Sequence, residues 1–360
     1  MPLHIGVDAW NLTGDRRGIG RYVREILHTW AGWQPDRIVL TLLVPERAPW
    51  FSRKRYLKEL GGADIAVRHR GAARTLDVVW YPWNGMSWVA GVTSVASLHD
   101  ASLFALPPSD PRVAEKEQRP LRLAAALARL IITNSEFSKE ELMRYLPLDP
   151  SRVEVIPLGV KEMFARARSG GRPAPARPYL LFVGEPESRK GVATLLQAMM
   201  LLPAELRAST ELIVAGATGQ YQLPPVPDSV MMRDVGWVAD ETLAGLYAGA
   251  SVFVYPSEYE GFGLPVVEAM AAGTPVIASD TRGLREAGGQ AALFVAPGDA
   301  QALATAIARV LTDQAVAADL VARGVARARQ LTWEETARHT LAVLERAVAE
   351  ANAGEASRPT

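Results

Sequence analysis

The chain has 360 residues, 49% of them hydrophobic and 22% charged, the balance of a soluble globular protein long enough for two domains. It carries no cysteine, which excludes a disulfide framework and a thiolate metal site, and its 39 Lys and Arg match 39 Asp and Glu, which excludes the basic field of a general nucleic-acid binder. Met1 to Asp8 lack the basic flank and apolar run of a secretory signal, and Arg122 and Arg129 interrupt Leu121 to Thr133, so no spanning helix is expected and the cytoplasm is the expected location.

Short β-branched runs alternate with helical periods through both halves, the pattern of parallel α/β units. Residues 1–165 form the first expected domain and hold 22 cations against 18 anions, the remainder 17 against 21. Strands are expected at His4–Ala9, Ile38–Val44, Asp77–Tyr81, Ser94–Leu98, Leu130–Thr133 and Val153–Ile156. After the first, Gly14-Asp-Arg-Arg-Gly-Ile-Gly-Arg-Tyr22 leads into a helix; turn chemistry explains a Gly-x-Gly as readily as a ligand loop does. Arg47 and the stretch Pro49 to Lys58 set cations beside aromatics, which suits a solvated helix face or peripheral contact with the inner face of an anionic membrane. The aromatic cluster Trp80 to Trp88 ends a strand, either as packing or as a stacking floor for an acceptor, with Trp83 in it. His99 also follows a strand, where a histidine most often makes local hydrogen bonds. In Ile132 to Leu142, Ser138 is expected to cap a helix.

Arg166 to Pro178, rich in Gly, Pro and Arg, reads as an exposed linker. The second domain, 179–332, is expected to carry strands at Tyr179–Val183, Glu211–Ala215, Val230–Asp234, Val252–Tyr255, Pro275–Ala278 and Ala292–Val295. Its first strand runs into Gly184-Glu-Pro-Glu-Ser-Arg-Lys-Gly191 and a helix from about Val192. Two adjacent cations there suit a diphosphate, Arg189 by a forked contact and Lys190 as a point charge, or else are simply solvated. Farther on comes Tyr255-Pro-Ser-Glu-Tyr-Glu-Gly-Phe-Gly-Leu-Pro-Val-Val-Glu-Ala-Met-Ala-Ala-Gly-Thr-Pro-Val-Ile-Ala-Ser279. Pro265 is expected to open a helix with Glu268 in its first turn, while Gly261 and Gly263 bare the backbone just before it. Glu260 and Glu268 bracket the turn, separated by at most roughly 27 Å of extended chain.

This phrase closely resembles the Glu-x7-Glu motif of the retaining glycosyltransferases of family 4, letter for letter over Glu260 to Ser279 at the motif's specified positions. The resemblance implies a GT-B fold: two Rossmann-like α/β domains facing each other across a cleft, donor on the second and acceptor on the first. It also implies that a helix over 333–352 crosses back to the first domain, leaving a tail of 353–360 that is expected to be disordered after about Ser357. It implies donor contacts from Gly18, Ile19 and Gly20 of the first glycine-rich loop and from Gly184, and a nucleobase contact at Val238 in Val235 to Leu243. Gly261, Phe262, Gly263 and Leu264 would hold the hexose together with Glu260, and Glu268 the ribose. His99 would reach the donor sugar, Arg189 and Lys190 the leaving diphosphate, and Asn134 or Ser135 would stand on the acceptor side with Trp83. Family members commonly have an Arg directly after the glycine; here that position is Glu185, and the Arg-Lys pair comes later, as in a subset of the family.

The resulting expectation is a retaining, metal-independent hexosyltransferase of glycan or polysaccharide biosynthesis that needs no cofactor. Its donor would be a GDP-, UDP- or dTDP-sugar, with GDP-mannose preferred, and its acceptor a glycan, a lipid-linked glycan or a small molecule. A non-catalytic sugar-nucleotide-binding partner of an assembly complex and a GT-B epimerase are the alternatives.

Overall fold

A computed structural model describes residues 2–15, 18–33, 36–46, 52–63, 65–169, 177–219 and 221–356. The chain divides into two compact units, one running to Gly159 and resumed by the terminal helix from Trp333, the other Val160–Thr332.

The first unit holds a seven-stranded sheet: β1 (Leu3–Asp8), β2 (Ile38–Val44), β3 (Ala66–His69), β4 (Val78–Tyr81), β5 (Thr93–Ser97), β6 (Leu130–Thr133) and β7 (Val153–Val155), in the order β3-β2-β1-β4-β5-β6-β7. Every pairing is parallel. The central strands are buried on both faces, so they read as continuous apolar runs without alternation. β3 is absent from the sequence expectation because it is a four-residue edge strand ending in exposed Arg68 and His69. The helix Gly18–Ala31 buries Tyr22, Val23, Ile26, Leu27 and Trp30 at helical spacing. The terminal helix Trp333–Ala356, longer than the expected 333–352, packs within this unit. Trp30 Nε1 donates to the Ala337 carbonyl at 3.1 Å, and Leu341, Leu344 and Ala347 are fully buried.

The second unit holds β8 (Tyr179–Val183), β9 (Glu211–Ala215), β10 (Met232–Asp234), β11 (Val252–Tyr255), β12 (Val276–Ser279) and β13 (Leu293–Val295), all parallel, in the order β10-β9-β8-β11-β12-β13. In each sheet the strand order reverses once, between β1 and β4 in one and between β8 and β11 in the other. The crevice outside the carboxyl ends of such a pair is where open α/β sheets take ligands.

The unit boundary falls at 159–160 instead of 165–166. Glu162–Ser169 is a helix, and its Phe164 is fully buried in the second unit's core. The expected linker therefore starts as helix, and its residues 170–176 lie outside the described residues, as do Arg47, Pro49 to Phe51 of the basic stretch and the tail from Ser357. Among the described residues no helix is long and apolar enough to cross a membrane.

Candidate active site

In the second unit, the loop after β8 and the loop after β11 meet at the reversal point. A 3-10 turn over Ser188–Lys190 leads into the helix Val192–Leu201, with Gly191 between them at φ 71°. A Cβ on Gly191 would stand 2.1 Å from the Pro256 carbonyl oxygen, so the two loops touch backbone to backbone. Glu258 N donates to the Arg189 carbonyl at 2.8 Å, and Arg189 Nη1 to the Tyr259 carbonyl at 2.8 Å.

Glu260 is the centre of this contact. Lys190 Nζ reaches its Oε1 at 2.5 Å, Ser257 Oγ at 2.7 Å and Tyr255 OH at 3.0 Å, with Arg189 Nη1 at 3.7 Å. Lys190 Nζ also donates to Tyr255 OH at 3.0 Å. All four contacts to the carboxylate fall on Oε1. Burial works against the charged carboxylate, but Lys190 and then Arg189 overcome it and hold Glu260 below its ordinary range. Burial first, then the Glu260 charge, raises the Tyr255 hydroxyl well above its usual value, so it stays protonated and donates. Its ring stacks with Phe182, at 6.0 Å, and with Phe253, at 5.7 Å. The sequence pointed to Lys190, Arg189 and Glu260; Tyr255 and Ser257 were missed, for nothing marks a strand-end tyrosine until its partners converge.

Glu268 differs from expectation. The helix opens at Leu264, its first turn holds no acidic residue, and Glu268 lies a turn deeper, 1% exposed. Tyr247 OH donates to its Oε2 at 3.1 Å. Phe262 and Leu264 are buried, and Gly263, at φ 101°, caps the helix start. A Cβ on Gly283 would meet the Glu260 carbonyl oxygen at 2.1 Å, so the helix Arg282–Gly288 also presses on this loop. Gly184 follows β8 at the same edge. Glu185 beside it is buried, with Oε1 accepting from Thr218 N at 3.1 Å and from Thr218 Oγ1, and with Oε2 unpartnered. Val238 follows β10 at this edge and packs partly against the core.

In the first unit, Gly18, Ile19 and Gly20 form the first turn of their helix, where backbone amides have no partner four residues back. Arg24 Nη1 holds the preceding loop through the Asp15 carbonyl at 2.6 Å. His99, 8% exposed, is fixed by the loop after β4: its amide donates to Asn84 Oδ1 at 2.8 Å, and its Nε2 sits 2.9 Å from the Pro82 carbonyl. A carbonyl only accepts, so Nε2 carries the hydrogen. Burial lowers the imidazole pKa, with the Pro82 contact opposing it, and the neutral ring offers Nδ1 as an acceptor. Asn84, the one non-glycine residue with positive φ (60°) among those described, was not anticipated. Trp83 is 9% exposed, its Nε1 donating to the Asp8 carbonyl at 2.5 Å. Ser135, not Ser138, is the helix N-cap: its Oγ accepts from Ser138 N at 2.9 Å, while Ser138 Oγ donates to Asn134 Oδ1 at 3.1 Å. The Ser138 expectation is off by one turn because both serines sit near the helix start and only the first has extended backbone. Among the described residues no group of three His, Cys, Asp or Glu stands together as a metal site.

The two parallel-sheet units are those of the GT-B glycosyltransferases. Sucrose-phosphate synthase from Thermosynechococcus elongatus superimposes with a TM-score of 0.72 at 22% identity, covering 97% of this chain and 100% of that one. Anabaena HepE in complex with UDP-glucose does so with a TM-score of 0.70 at 18% identity, covering 98% and 100%. The Glycosyltransferase Family 4 model matches residues 17–162, and the Glycosyl transferases group 1 model residues 177–313. O-antigen chain mannosyltransferase B of Escherichia coli is 34% identical over 269 residues, 69% of each chain. The MMP alpha-(1->4)-mannosyltransferase of Mycolicibacterium hassiacum is 32% identical over 228 residues, 61% of this chain and 54% of that protein. The D-inositol 3-phosphate glycosyltransferase of a Nocardioides species is 34% identical over 252 residues, 62% and 55%. The matched region thus spans about half the length of these last two relatives. The chain belongs to the family 4 glycosyltransferases.

Proposed function

We propose that the protein moves a mannosyl group from GDP-mannose to an acceptor hydroxyl with retention at the anomeric carbon, without a metal. The convergence of Lys190, Arg189 and Glu260 at the β8–β11 reversal carries this reading, and the names of two relatives, both mannosyltransferases, favour the sugar. Lys190 and Arg189 stabilise the negative charge growing on the departing diphosphate, the largest catalytic contribution in such a site. Their charge takes the part a divalent ion would otherwise play, and the helix-start amides of Gly18, Ile19 and Gly20 are read as further donor contacts. Glu260 keeps Lys190 aimed through Oε1, and its Oε2, outside those contacts, accepts a hexose hydroxyl. The amides of Gly261, Phe262, Gly263 and Leu264 complete the sugar subsite. Glu268 accepts from ribose hydroxyls, Gly184 gives the diphosphate room, and Val238 meets the base. His99 accepts a sugar hydroxyl at Nδ1. Trp83, Asn134 and Ser135 shape the acceptor side from within. Acceptor attack on the face the diphosphate leaves gives retention with no protein nucleophile. Peripheral contact with a membrane through the helix Ser52–Glu59, whose Lys54 and Arg55 are exposed, suits a lipid-linked acceptor at the cytoplasmic face.

A thermal-shift screen against GDP-, UDP-, dTDP- and ADP-sugars, followed by product analysis with the stabilising donor, tests the reading. GDP-mannose is expected to stabilise most, and an α-linked product is expected with or without excess chelator. A strict metal requirement, or an inverted linkage, defeats it.

A further inference from the structure

The tryptophans on and around β1 and β4 are unequally buried. Trp30 and Trp80 are fully buried and Trp83 is 9% exposed, whereas Trp10, two residues past the end of β1, is 46% exposed. Trp10 and Trp83 meet edge to face, with ring centroids 6.3 Å apart and planes at 61°. Trp83 cannot turn outward, because its Nε1 is held on the Asp8 carbonyl at the end of β1. It is therefore a rigid backing, and the face available to a ligand belongs to its neighbour.

We propose that Trp10 is the stacking platform of an acceptor-sugar subsite, taking a pyranoside that lays a C–H face on the indole. The inference rests on the hexosyl-transfer reading and adds the acceptor's chemical class and position. A pyranose has one face of axial C–H groups and a rim of hydroxyls. The electron-rich face of an indole attracts those C–H groups while the rim stays in water. The carboxyl edge at a strand-order reversal is where an open parallel sheet takes such a ligand. A half-exposed indole fixed from behind by a second, hydrogen-bonded indole binds without first having to be ordered, which removes part of the entropic cost of association. Membrane insertion is the competing use of an exposed tryptophan. Arg55 of the nearby basic helix is tied to this loop, its Nη2 donating to the Thr13 carbonyl at 3.2 Å.

The test uses the full chain carrying 5-fluorotryptophan, with the Trp10 fluorine resonance assigned from a Trp10→Phe variant. Titration with methyl α-mannopyranoside and methyl α-glucopyranoside is expected to move that resonance saturably while the Trp30 and Trp80 resonances stay still. With methyl α-mannopyranoside as acceptor, Trp10→Ala is expected to raise the acceptor KM about tenfold, the scale of one lost aromatic contact, and to hold the donor KM within about twofold. The proposal is overturned by a silent Trp10 resonance, by an unchanged acceptor KM, or by a resonance that responds only to vesicles of phosphatidylcholine and phosphatidylglycerol. Should no nucleotide-sugar support transfer, the mannosyl reading falls, and the fluorine titration still decides the subsite.

Discussion

Lys190 and Glu260 lie 70 positions apart and share a hydrogen bond of 2.5 Å, so Glu260 depends on Lys190 for its charge and Lys190 on Glu260 for its aim. Removing one partner of a buried pair leaves an uncompensated charge. Lys190→Ala is therefore expected to cost about 3 kcal/mol, the lower end for such pairs because Arg189 stays at 3.7 Å, and to reduce transfer by orders of magnitude. Urea midpoints and steady-state rates measure the two losses separately. Tyr255→Phe keeps the stack with Phe182 and Phe253 but deletes the hydroxyl between Lys190 and Glu260; a loss of about 1–3 kcal/mol is expected. The pH response follows from two depressed pKa values. Below about 6.5 the unfolded chain protonates its histidine while buried His99 resists, so stability falls as pH drops from there toward the folded-state value. Glu260, lowered from 4.5, adds stability that is present above that value and lost as pH falls through its folded pKa. His99→Gln is expected to flatten the upper window, which opens below about pH 6.5, and leave the lower one; urea midpoints across pH read both. The motif letters point to Glu260 and the family resemblance to Lys190, yet Tyr255, Ser257, Tyr247 and Asn84 stay invisible because their roles arise only when distant loops meet.

Elements were legible where burial is two-sided and hidden where it is not. The central strands appear in the sequence as apolar runs within a residue or two of their ends, while β3, with two exposed basic residues on an edge, does not. The helix Glu162–Ser169 is masked by its arginines, and only the burial of Phe164 shows why it is ordered. Gly191 marks a third kind of case, in which a backbone conformation joins two elements. Its φ of 71° and the Pro256 carbonyl 2.1 Å from a notional Cβ leave no side chain tolerable. Gly191→Ala is expected to combine left-handed strain of roughly 1–2 kcal/mol with separation of the two loops. Thermal melting should show a drop of several degrees, and the variant should lose affinity for GDP-mannose in titration calorimetry. Normal affinity at a lowered melting temperature would mean that the loop junction serves the fold and not the ligand.

At the scale of the whole chain the two units differ in how they are written. Val160–Thr332 is contiguous and contains all six strands of its sheet with the helices that cover them. The first unit is interrupted: its sheet is complete by Val155, but part of its core arrives after 177 further residues (156–332), with the helix Trp333–Ala356. Composition announces a division near the middle of the chain, whereas the return of that helix was legible only through the family resemblance, since an amphipathic period does not name its partner. Different consequences follow for the two pieces. Residues 160–332 expressed alone are expected to fold, giving one cooperative melt and a dispersed amide spectrum. A chain ending at Thr332 exposes the groove that Leu341, Leu344 and Ala347 fill and strips Trp30 Nε1 of the Ala337 carbonyl. Three buried apolar side chains, two of them leucines at about 1.5–3 kcal/mol each, represent much of the 5–15 kcal/mol that holds an ordinary domain together. Its first unit is therefore expected to lose its cooperative transition while the second keeps its own. Adding residues 333–356 as a separate peptide should restore the missing transition, and a shortened chain that melts like the full one would show that the helix decorates the unit without completing it.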